Sequence, residues 1–111
     1  MAYESKTQNA ATDELSRAIL TLGTVEECYR FFDDVCTIRE IIDISQRLQV
    51  AKLLKTGATF NQIAADTGAS TATISRVSRC LNYGTDGYTI VLDRLEKQDK
   101  MSETEQDAEE S

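Results

Sequence analysis

The sequence predicts an all-α protein of about six helices, and three observations predict it. Apolar residues recur at three- and four-residue spacing, and no strict apolar–polar alternation survives beyond a few positions. Proline is absent and the five glycines fall mostly between the apolar stripes, where they act as punctuation. A threonine followed three places later by Glu or Gln opens three segments, Thr24–Glu27, Thr37–Glu40 and Thr59–Gln62. In such a capping box the hydroxyl takes an N–H at the helix start while the longer side chain reaches back to a second one.

Each element has its own signal. Residues 1–11 are polar and carry no apolar stripe, so they read as a disordered arm, without the apolar segment of a secretory signal. Leu15, Ala18, Ile19 and Leu22 make the first stripe, and Gly23 is expected at the C′ position. The Thr24 box starts a helix offering Cys28, Tyr29, Phe32 and Val35; the adjacent Phe31 and Phe32 are expected to point different ways. The Thr37 box opens a longer helix with Ile41, Ile44, Leu48, Ala51 and Leu54 inward, ended by Gly57. A short helix with Ile63 and Ala64 follows Thr59 and breaks at Thr67–Gly68. Ser70 or Thr71 caps the next, which runs to about Tyr83. Gly84 interrupts, and Thr85 or Asp86 begins a last helix with Tyr88, Val91, Leu92 and Leu95. Residues 98–111 are polar and acidic and read as a disordered tail, leaving 12–97 as one helical domain.

Composition narrows the function. The chain has 111 residues, a net charge of −7, three cysteines and no histidine. Without histidine, a CxxC pair or a glycine-rich phosphate loop, neither an enzyme, a cofactor nor a metal site is expected. Cys28, Cys36 and Cys80 read as small buried hydrophobes in a reducing cytoplasm. No apolar run approaches the ~20 residues of a membrane span. The charge is uneven: residues 13–43 and 96–111 are strongly acidic, while residues 44–83 hold a single acid, Asp66, against five cations. Local sign, not the total, decides what a surface attracts.

That basic interval contains the one motif with chemistry in it. Residues 60–79 have helix-turn-helix spacing, two helices joined by a short turn with a glycine. Ile63, Ile74 and Val77 would face the core, Ala64 allows a close helix crossing, and Gly68 supplies positive φ. Left outward on the second helix are Thr71, Ala72, Ser75, Ser78 and Arg79, in an interval without any acid from Thr67 to Thr85. Small hydroxyls and methyls suit base edges, and arginines suit phosphates. The expected double-stranded DNA-binding set is therefore Ser70, Thr71, Ala72, Ser75, Arg76, Ser78 and Arg79, with Asn61 and Gln62 near the DNA backbone. Helix pairs of this kind also occur in proteins that bind no nucleic acid. The alternative reading is a protein-interaction module docking on a component of the transcription machinery.

The chain resembles the Trp repressor superfamily, and within it the YerC/YecD branch of Trp repressor-like proteins. The resemblance is carried by EECYRFFDDVCTIREI (26–41), QRLQVAKLL (46–54) and TGASTATISRVSRCLNYG (67–84), and with flanking helices covers about residues 12–96. It implies an intertwined, all-helical homodimer with two helix-turn-helix units one DNA turn apart, and a bacterial transcription regulator, in the leading reading a repressor. Its corepressor pocket would fall on Arg47, Thr73 and Arg76. The family's pocket glycine falls on Val77 and a pocket serine on Cys80, so tryptophan is not the expected ligand; another small effector, or none, is.

Overall fold

The structure, a computed structural model, describes residues 3–110, with side-chain surroundings described as far as Glu103. Among these residues there are six α-helices and no strand: α1 Ala10–Leu20, α2 Val25–Val35, α3 Ile38–Lys55, α4 Phe60–Thr67, α5 Thr71–Tyr83 and α6 Gly87–Glu110. The chain divides into two compact units, residues 1–41 and 42–111.

In the first unit, local hydrogen bonds set the helix starts. Asn9 Oδ1 accepts the Thr12 N–H at 2.9 Å, and Thr12 Oγ1 accepts the Asn9 N–H at 2.9 Å. This box starts α1 inside the stretch expected to be a disordered arm; Met1 and Ala2 lie outside the described residues. α1 ends at Thr21 in the right-handed region, so Gly23 is not the C′ residue expected. Thr24 does cap α2, accepting the Glu27 N–H at 3.1 Å, but the Glu27 carboxylate takes the Gly23 N–H at 2.7 Å instead of Thr24's. The Thr37–Glu40 box is reciprocal, at 2.9 and 3.1 Å. The N–H of Thr37, and then its hydroxyl, hold the Glu40 carboxyl below the usual carboxylate range.

Neither α1 nor α2 buries a residue. Leu15, Ile19, Leu20, Val25, Tyr29 and Val35 are exposed. Phe31 and Phe32 are both half-buried, and their rings meet edge to face with centroids 5.6 Å apart.

The second unit encloses an apolar core of Val50, Ala51, Ile63, Ala69, Ile74, Val77 and Leu92, with Leu48, Leu53, Leu54, Ala58, Ala64 and Tyr88 packed around it. α4 packs on α5, and α5 on α6. The α3 residues of this core all lie between 48 and 54. Ile44, expected inward, is 53% exposed, because the packed layer engages only the C-terminal half of α3. Lys55 Nζ also reaches Asp93 Oδ1 at 2.8 Å, tying α3 to α6.

α6 does not stop near residue 97. Its backbone stays helical to Glu110, where a disordered tail was expected over 98–111; Ser111 lies outside the described residues. Glu, Lys, Gln and Met are good helix formers, no Gly or Pro interrupts them, and Glu96 pairs with Lys100 at 3.1 Å one turn on.

Candidate nucleic-acid interface

The helix-turn-helix is α4, a three-residue break and α5. Thr59 and Gln62 form the box that starts α4: Thr59 N–H donates to Gln62 Oε1 at 2.8 Å and Gln62 N–H to Thr59 Oγ1 at 3.2 Å. Gly68 closes α4 at φ +71°, a conformation costly for any residue with a Cβ, and its N–H returns to the Ala64 carbonyl. Ser70, not Thr71, caps α5, accepting the Thr73 N–H at 3.1 Å.

The two faces of α5 separate as the sequence reading requires. Ile74 and Val77 are 0% and 2% exposed, in the core with Ile63. Thr71, Ala72, Arg76 and Arg79 are exposed, and Ser75 and Ser78 are half-buried on the flank. On α4, Asn61 and Gln62 are exposed, so all nine residues of the expected DNA-binding set are at least partly open to solvent. Three of them, Ser70, Gln62 and Ser78, have an oxygen already engaged within the chain. Ser70 Oγ holds the α5 N-terminus and lies 3.0 Å from Thr73 Oγ1, and Gln62 Oε1 is committed to Thr59. Asn82, absent from the expected set, continues the open stripe with its amide 3.4 Å from Ser78 Oγ; Tyr83 is also exposed. Nothing in the sequence separates these two from ordinary helix-end residues.

One of the expected ligand residues borders a groove. A groove of about 540 Å³ in the second unit is lined by Ile44, Arg47, Leu48, Cys80, Gly84, Thr85, Gly87, Tyr88 and Val91. Arg47 borders it; Thr73 and Arg76 do not, and Val77 is locked in the core. Cys80, expected buried, is exposed at its edge, while Cys28 and Cys36 are half-buried. Among the described residues no group of three Cys, Asp or Glu is placed to hold a metal ion, and no helix is long and apolar enough to cross a membrane.

Comparison with known proteins places this geometry among relatives. The family model described as Trp repressor protein matches residues 10–96. YerC, an uncharacterized protein of Bacillus subtilis (strain 168), is 55% identical over 100 residues, spanning 90% of this chain and 92% of the relative. The crystal structure of a proposed Trp repressor from Staphylococcus aureus superposes with a TM-score of 0.79 at 59% identity, over 82% of this chain and 91% of that one. A TrpR-like protein from Eubacterium eligens matches with a TM-score of 0.78 at 56% identity, over 81% of this chain and 93% of that one.

Proposed function

The chain belongs to the Trp repressor family, and we propose that it is a sequence-specific DNA-binding regulator of transcription, acting in the cytoplasm as a homodimer and repressing by occupying its operator. One observation carries this reading: the acid-free face of α5 is held outward because Ile74 and Val77 are buried beneath it. A duplex meets hydroxyls, a methyl and two guanidiniums there, with no carboxylate from Thr67 to Thr85. Thr71, Ala72 and Ser75, near the N-terminal end of α5, are the base readers. Arg76 and Arg79 are phosphate contacts.

The homodimer is supported by the first unit. Six apolar side chains on α1 and α2 stand exposed, and exposed apolar surface on helices is a candidate interaction surface. A second copy would cover it. Two copies would also present two α5 helices to successive grooves.

Tryptophan is not part of this proposal. Val77 stands where the resemblance puts the family's pocket glycine, and its two methyls, in the core with Ile63 and Ile74, take up space that a glycine would leave open.

Selection from genomic fragments, followed by mobility shift of the purified protein, tests the reading. A palindromic duplex should be bound, with affinity falling steeply as salt rises. Arg79→Ala should weaken binding to all duplexes, and Thr71→Val or Ala72→Glu should damage sequence choice. Absence of any shift at low salt across the genomic library ends the proposal. Co-purification of a protein partner that survives nuclease treatment would point to an interaction module instead.

A further inference from the structure

α4 leaves its last carbonyls without helical N–H partners, as every helix does, and the chain must turn sharply before α5. The Thr67 carbonyl is not left to water. Gln46, in the middle of α3 and half-buried, donates its side-chain amide to Thr67 O at 3.1 Å across 21 residues of sequence. Thr67 is bonded twice more: its hydroxyl donates to Ile63 O at 2.7 Å and accepts the Ala69 N–H at 3.2 Å. Ala69 is buried, and Ser70 caps α5 directly after it. The turn that aims α5 is therefore fastened at one end to α3 by a single side chain. An acceptor carbonyl admits only a donor here, so an amide fits and a carboxylate does not.

We infer that Gln46 is a positioning residue for DNA recognition: its bond to Thr67 fixes the α4–α5 turn on α3 and so sets the angle at which α5 meets the groove. This rests on the reading that α5 binds DNA. The role is separate from phosphate contact, since Gln46 lies on α3 and carries no charge.

The test uses the full chain and a duplex selected with the wild type. Gln46→Leu keeps bulk and removes the donor; Gln46→Glu keeps shape and sets a carboxylate against the carbonyl. Both should lower affinity for the selected duplex by about tenfold or more while binding to a scrambled duplex, and its salt dependence, stay within about twofold. Circular dichroism confirms that the variants compared are folded. A folded Gln46→Leu with an unchanged ratio of selected to scrambled binding overturns the inference. Failure of the wild type to bind any duplex sinks the DNA-binding reading, whereas wild-type binding with no effect of either substitution sinks only the role of Gln46.

Discussion

Residues 10–35 and residues 48–92 are built from the same material, short capped helices with apolar stripes, yet only the second set encloses anything. The first unit buries no residue of α1 or α2, while the second has seven buried apolar side chains in one cluster. The difference lies in the connections. Both positive-φ glycines among the described residues, Gly57 and Gly68, are in the second unit, where the chain folds back on itself. The α1–α2 connection has no positive-φ glycine; Gly23 keeps ordinary φ and its N–H donates to Glu27. An apolar stripe says that a face must be covered, and the turns decide whether the same chain can cover it.

The largest expected effect contrasts the two units directly. Ile74→Ala, at a fully buried site, should lower stability by about 2–5 kcal/mol in thermal or denaturant unfolding. Leu20→Ala, at a site 82% exposed, should stay within about 0.5 kcal/mol when the protein is dilute. If the Leu20 cost grows with protein concentration, that face is covered by a second copy, and the contrast between the units belongs to the monomer alone.

Next comes Gly84→Ala, expected to cost about 1–3 kcal/mol or more, since its Cβ would collide with the backbone carbonyl of Cys80. Gly87→Ala in the same turn meets nothing and should be close to neutral, so equal costs for the two would remove steric crowding as the cause. Smaller still are the caps. Thr59→Ala and Thr24→Ala should each lose about 0.5–2 kcal/mol of helix stability. Amide exchange should show the Thr59 loss spreading through α4 and α5, and the Thr24 loss confined to α2.

Asp93→Asn should give the smallest effect, visible only as a pH dependence. Hydrogen bonding to Lys55, then the lysine charge, lowers the Asp93 pKa. A depressed carboxyl contributes stability above its unfolded value and loses it as pH falls through the folded one. The wild-type advantage over Asp93→Asn should therefore be full at neutral pH and vanish below the ordinary aspartate range in acid unfolding series. A difference that persists there would mean that packing, not charge, is responsible.

Much of the second unit was legible because its signals are local. The Thr59 box, Gly68 and the Ile63, Ile74 and Val77 pattern lie within a single helix pair, and all hold in the structure. What was not legible depended on distance or on permissive chemistry. Ile44 obeys the period of the α3 stripe but opens onto the groove beside Cys80 and Tyr88 and does not enter the core. The α1 box was missed because it uses Asn9 and Thr12 in place of Thr and Glu. Gln46 carries no signal of its own: a glutamine mid-helix gives no hint that a carbonyl 21 residues on will meet it. Over 98–110, polarity argued for disorder while the helix-forming character of the same residues argued the other way.

The capping bonds have a kinetic consequence. At Asn9, Thr24, Thr37, Thr59 and Ser70 the instruction to begin a helix is carried by residues three apart, so each turn can nucleate before anything docks. With no proline in the chain, no peptide-bond isomerisation delays the rest. Refolding of the second unit should then be limited by α4 and α5 closing on α3, a loop of modest length, and should proceed without a phase lasting seconds to minutes.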